Sequence, residues 1–280
     1  MERRVLVIGA TGVLGEPVAR QLKADGFTVR ALARHPEKAH EQLGEGFEIA
    51  PGDVADLESL EIGMADCWGV HITAGGPVEQ ISAENVARLA PQMGVERVGY
   101  VSGTTVDERN AWFPMVREKL NAEKAVKECG VAYLIFRPTW PMEMLAKFVR
   151  DGRATMLGKN PYPYHWFAPA DYGRMVSCAY QLEAAANQTF FIHGPEAISM
   201  YDAMQRYCQA FYPEIEKVDT MPVWMGKLMG TLMGSSELKF AASLMGYFEK
   251  VAELGDPTET NALLGAPTTT LDEWIAQRRQ

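Results

Sequence analysis

Three glycines, Gly9, Gly12 and Gly15, stand three apart in "VLVIGATGVLG". They follow an apolar β-branched run and open a helical pattern, and each allows something different. Gly9 permits a tight turn, Gly12 lets the backbone approach a pyrophosphate, and Gly15 lets the helix press on the strand. The loop of Thr11, Gly12, Val13, Leu14 and Gly15 then offers free N–H groups and the positive end of a helix to phosphates. A dinucleotide is the expected ligand. The end of the next strand selects its form, because an acid there would bond a ribose 2′-hydroxyl and repel a 2′-phosphate. The residue there is Arg34, with His35 beside it and Lys38 one turn on. A guanidinium fork suits a phosphate, so NADP(H) is expected over NAD(H). Asp53 and Val54, in "GDV", are placed to meet the adenine edge, a solvent-facing loop acid being the other reading of Asp53.

Other chemistry is less legible. His35, His40, His71, His165 and His193 lack spacings such as HxxxH, so no metal site is expected. Cys67, Cys129, Cys178 and Cys208 are scattered without CxxC and are expected to be buried, reduced thiols. In "MPVWMGKLMGTLMG", Met221, Met225, Met229 and Met233 recur every four residues, as do Gly226, Gly230 and Gly234. On a helix these form one soft apolar stripe and one bare stripe. Either a tightly packed cap helix or an adaptable lid over a bulky apolar substrate would use them.

The elements that must position these residues alternate. Strands are expected near 3–8, 28–34, 47–54, 67–74, 97–103, 131–138 and 188–194. Helices are expected after Gly12, over 78–94, over 112–130 and over 170–183. That rhythm calls for an α/β fold with a parallel sheet and right-handed crossovers. After Pro138, "RPTWPMEML" and "GKNPYPYHWFAPADYG" read as loops around a site, and the remainder reads as mostly helical. The division is therefore 1–140 as cofactor-binding core and 141–280 as substrate and lid region, interleaved with the core as one compact unit.

"GATGVLG", Arg34, "GDV", "RVGYVSG", the Lys119–Glu123 helix and "FRPTW", in this order, resemble the atypical NmrA-like and isoflavone-reductase-like branch of the short-chain dehydrogenase/reductases. The likeness is good over 3–140 and extends in outline to the ending "LLGAPTTTLDEWI". It implies a Rossmann-type doubly wound parallel sheet with a smaller, mainly helical C-terminal region covering the substrate. It also implies that Lys119 and Pro138 meet the cofactor and that Ser102 lies beside the substrate. Standard members carry a YxxxK pair, whose tyrosine protonates a carbonyl oxygen as hydride arrives. Here Met115 stands in the tyrosine's place, and a thioether donates no proton. Three readings follow. Lys119 is itself the acid or electrostatic aid; Tyr162, Tyr164 or His165 supplies the proton; or no catalysis occurs and the fold senses the NADP(H) state. Arg137 and Thr139, beside Pro138, fall where family backbone groups meet nicotinamide; Arg137 reads equally as a structural ion-pair residue.

The 280 residues are 47% apolar and 22% charged, which suits a globular domain with a substantial core. A formal charge of −9 argues against a nucleic-acid surface. No run approaches the ~20 apolar residues of a membrane span, and "MERR" leads straight into a strand, so a cytoplasmic protein is expected. The expected partner is a small apolar substrate, and a homodimer is the oligomer to test. The leading reading is an NADPH-dependent reductase of a carbonyl, enone or quinone; the competing one is a non-catalytic NADP(H)-binding regulator.

Overall fold

Val5, Leu6, Val7 and Ile8 form a short β-branched run, and all four are buried. A strand apolar on both faces needs helices above and below it, which is the setting of a parallel sheet. The computed structural model describes residues 3–279. Its elements run β1 (Arg4–Ile8), α1 (Gly15–Ala24), β2 (Thr28–Ala33), α2 (Pro36–Leu43), β3 (Glu48–Pro51), α3 (Leu57–Met64) and β4 (Gly69–Ile72). Then come α4 (Glu79–Leu89), β5 (Arg97–Val101), α5 (Pro114–Glu128), β6 (Ala132–Pro138), β7 (Val149–Arg150), β8 (Arg153–Leu157) and β9 (Pro163–Trp166). The chain continues with α6 (Pro169–Gln181), β10 (Gln188–Ile192), β11 (Glu196–Ser199), α7 (Met200–Phe211) and β12 (Val218–Met221). It closes with α8 (Val223–Leu232), α9 (Ser236–Phe248), α10 (Thr258–Leu264) and α11 (Leu271–Arg278).

The chain groups into two compact units. The first comprises residues 1–138, 169–192 and 255–266, so the expected C-terminal region returns two segments to it. Its seven-stranded sheet has the order β10-β6-β5-β4-β1-β2-β3, with every pairing parallel. This is the Rossmann-type, doubly wound sheet, reversing direction between β1 and β4. One face is filled by Leu6, Ile8, Val70, Ile72, Val98 and Tyr100 against apolar side chains of α3, α4 and α5. Across the chain, α1 packs closely on α6, where a Cβ on Gly173 would lie 2.7 Å from the Pro17 carbonyl oxygen.

The second unit comprises residues 139–168, 193–254 and 267–280 and is mainly helical. One stretch expected as a loop is more ordered than that. "PYHW" is strand β9, paired antiparallel with β11, and Arg153–Leu157 is strand β8, flanked by β7 and β12. Prolines and aromatics suggested loops here; the aromatics instead build a small core, with Trp140, Tyr164, Trp166 and Phe248 in ring contact. In α8 the glycine stripe faces α9. A Cβ on Gly226 would come within 3.2 Å of Ala242 Cβ, and one on Gly230 within 2.9 Å of the Lys239 amide nitrogen. The methionine stripe turns outward, with Met229 and Met233 exposed, and Met221 belongs to β12 rather than to the helix. No helix of the described residues is long and apolar enough to cross a membrane.

Candidate cofactor and active site

The glycine turn is built by contact. Gly9 has φ +81°, and a Cβ on Gly15 would fall 2.0 Å from the Gly9 carbonyl oxygen. Thr73, at the end of β4, donates its hydroxyl to the carbonyl oxygen of Ile8 at 2.8 Å, tying two strand ends together. Gln42 of α2 donates to the Thr11 carbonyl at 3.0 Å, holding the rim of the turn. No side chain caps the N-terminus of α1, whose residue before the first turn is Leu14. Thr11, Gly12 and Val13 are exposed. Uncapped amides on an exposed, side-chain-poor loop fit a pyrophosphate.

Beside the turn lies a cleft of about 330 Å³. Gly9, Thr11, Arg34, His35, Lys38, Asp53 and Val54 line it, together with Ala74 and Val78. Arg34 and Lys38 are exposed, and neither forms an ion pair among the described residues. Their charge is therefore free for an anion entering the cleft. Asp53 accepts a hydrogen bond from the Ala55 amide at 2.9 Å, so its carboxylate helps to shape the loop it sits on. Leu32 and Val54 supply apolar wall, as an adenine ring requires. The residues present fit a dinucleotide. Thr73, Ala74 and Val78 went unread in the sequence, although the paired glycines that follow a strand in "HITAGGPV" could have marked a second loop at the same sheet edge.

Lys119, on α5, forms an ion pair with Glu79 at the start of α4. Tyr100 of β5 donates its hydroxyl to the same Glu79 oxygen at 2.7 Å, and Lys119 Nζ stands 6.0 Å from the centre of its ring. Burial, and then the Glu79 charge, push the Tyr100 phenol well above its usual range. Tyr100 therefore stays a hydrogen-bond donor, and the three groups form one largely buried assembly. Glu79 was not legible as a partner because it lies in a different crossover from Lys119.

Ser102 is buried and commits its hydroxyl to Glu123 Oε1 at 2.6 Å. Arg137 binds both Glu123 oxygens, at 2.8 and 2.7 Å, and Lys127 adds a second cation at 3.0 Å. Burial pushes the Glu123 carboxyl upward, but Arg137, Ser102 and Lys127 together hold it below its ordinary value. Arg137 is thus an ion-pair residue of the core, and the Ser102 proton points at a carboxylate. The Pro138 carbonyl accepts from the Thr104 amide at 3.2 Å.

In the second unit Thr139 donates its hydroxyl to the His165 carbonyl oxygen. Tyr164 is fully buried, and its hydroxyl has no hydrogen-bond partner among the described residues. Burial raises its pKa well above the phenol's ordinary value. In this conformation the ring is a core group, out of a substrate's reach. His165 is half-exposed, with Nδ1 2.9 Å from Glu253 Oε2. The Glu253 oxygens also accept from the His165 amide at 3.1 Å, and the His193 ring stacks on that of His165 at 5.0 Å. The expectation of no metal-ligating group rested on spacing along the chain. The fold instead gathers one atom each of His165, His193 and Glu253 within 4.8 Å of one another.

A family model described as NAD(P)H-binding matches residues 9–152, just over half of the chain. A (4-alkanoyl-5-oxo-2,5-dihydrofuran-3-yl)methyl phosphate reductase from Streptomyces griseus is 29% identical over 198 residues, covering 70% of this chain and 69% of its own. The photosystem II assembly factor Ycf39 of Synechocystis sp. is 22% identical over 295 residues, covering 98% and 90%. Among solved structures, the triphenylmethane reductase of Citrobacter sp. complexed with NADP(H) matches with a TM-score of 0.77 at 20% identity, covering 98% of this chain and 99% of its own.

Proposed function

Because the chain belongs to the NAD(P)H-binding family, in the atypical branch of the short-chain dehydrogenase/reductases, we propose that it is an NADPH-dependent reductase of a small, largely apolar enone, carbonyl or quinone. The relatives include NAD(P)H-dependent oxidoreductases. One of them is named for a ring that conjugates a double bond with a carbonyl, the electron-poor alkene that accepts hydride. The observation that carries the proposal is Lys119, whose ammonium is held in a fixed place by a buried carboxylate.

Bound NADPH supplies the hydride. The chain's own residues do the rest. The Gly9–Gly15 turn takes the pyrophosphate, and Arg34 with Lys38 takes the 2′-phosphate, which favours NADPH over NADH. Asp53 and Val54 would border the adenine, and Pro138, at the end of β6, would meet the nicotinamide. As hydride reaches the substrate, negative charge grows on its carbonyl oxygen. A positioned ammonium stabilises that charge and hands over a proton, doing the work for which Met115 has no group. Ser102 orients Glu123 and the end of β6 and donates no proton of its own. Tyr164 stays in its aromatic core.

A second reading rests on one observation: a relative named as an assembly factor aligns along nearly the whole chain. In that case the fold binds NADP(H) without turning it over. Oxidation of NADPH against a panel of enones, quinones and triphenylmethane dyes separates the two, with NADPH and NADH binding measured alongside. Turnover with any panel member that is lost in Lys119→Ala is the expected result. Tight NADPH binding with no turnover across the panel overturns the reductase and leaves the binding protein.

A further inference from the structure

Outside the cofactor cleft, a cluster of metal-ligating side chains among the described residues stands in the second unit. His165 comes from strand β9, His193 from the residue after β10, and Glu253 from the loop after α9. Backbone contacts hold all three positions. The Gly194 amide donates to the His165 carbonyl oxygen at 3.1 Å, and a Cβ on Gly194 would lie 1.7 Å from the Trp166 carbonyl oxygen. Only glycine lets the chain carrying His193 come this close to the strand carrying His165. Glu253 is fixed in turn by the His165 amide.

We propose that His165, His193 and Glu253 bind one divalent cation of the zinc class. Two imidazoles and a carboxylate form a familiar three-ligand zinc set that leaves a fourth position open. Ligand atoms around tetrahedral zinc stand roughly 3.3 Å apart, given metal–ligand bonds of about 2.0–2.2 Å. The His165–Glu253 pair is already at 2.9 Å, and all three donor atoms lie within 4.8 Å, so side-chain adjustment closes the set. His193 Nε2 lies 3.3 Å from the Leu254 carbonyl oxygen. Donation to that carbonyl is the outer bond that ligating histidines commonly make. Charge points the same way. The carboxylate and one imidazole already form a hydrogen-bonded pair, and a second imidazole stacks on the first. A divalent cation uses all three. The half-exposed edge of His165 gives it an entry path.

The site is independent of the reductase reading, and so is its test. Zn²⁺ or Co²⁺ is titrated into the full chain, free of any affinity tag and treated with chelator, and followed by calorimetry and by the visible absorption of cobalt. One equivalent per chain with a tetrahedral cobalt spectrum is expected. His165→Ala, at the exposed edge, should weaken uptake at least about tenfold while the circular dichroism and melting curve of the metal-free protein stay unchanged. Glu253→Gln should weaken it similarly. Absence of saturable uptake by the wild type overturns the site. So does equal uptake by wild type and folded His165→Ala, which would put the cation on other groups such as the four free cysteines.

Discussion

A guanidinium that forms no ion pair among the described residues and faces a cleft is available to whatever anion enters, and Arg34 is in that position. A hydrogen bond to a charged group contributes about 1.5–3 kcal/mol. Arg34→Glu should therefore weaken NADPH binding by roughly 10- to 100-fold, while NADH, lacking the 2′-phosphate, loses little. Titration of both cofactors into the variant checks this, and equal losses would remove Arg34 from the role. Glu79 offers a subtler test. Glu79→Gln keeps the volume beside Lys119 but frees its ammonium, so turnover should fall more than cofactor affinity in steady-state and binding measurements made together. At this scale the placement of Arg34 at the cleft and of the glycines in the turn was legible because each depends on position within a local motif. Glu79, Thr73 and Glu253 were not, because each acts through a partner that is distant in the chain and carries no periodic mark.

The glycine turn separates two demands that a motif presents as one. A Cβ at Gly15 would meet the Gly9 carbonyl oxygen at 2.0 Å, and backbone cannot yield that far. At Gly12 the same oxygen is 3.2 Å away and the rest is open. Gly15→Ala should thus lower the melting temperature and cofactor affinity together. Gly12→Ala should change stability by no more than about 1 kcal/mol while still obstructing the pyrophosphate. Thermal melts beside cofactor titrations distinguish the two, and equal melting losses would refute the division. Local pattern also explains which elements were readable. β1 to β6 announce themselves as apolar runs ending at glycine or polar turns. Strand β9 does not, since its proline and aromatics resemble a loop until β11 is seen beside it. The two stripes of α8 were readable as stripes, but only packing shows that the glycines face α9 and the methionines face out.

Over the whole molecule, the alternation of strand and helix implied a parallel sheet, but it could not imply that β10 would join that sheet beside β6 after an excursion of some fifty residues. That closure has a consequence for acid stability. His71, in the central strand β4, is completely buried, lies against Phe136 and Tyr180, and leaves Nε2 without a partner among the described residues. Burial pushes its pKa down from 6.5 to about 3. The folded state therefore refuses a proton that the unfolded chain accepts, and stability declines as pH falls from 6.5 towards 3. Glu123, also held below its ordinary value, is charged throughout the upper part of that window and begins to cost stability only below about pH 4.5. Between pH 7 and 5, His71 alone should remove about 2 kcal/mol. His71→Asn should be less stable than the wild type at pH 7 yet lose much less on going to pH 5, as read from urea midpoints at the two values. The same loss in both proteins would show that the acid sensitivity arises elsewhere. The expected flattening would instead tie it to one uncharged ring at the centre of the sheet.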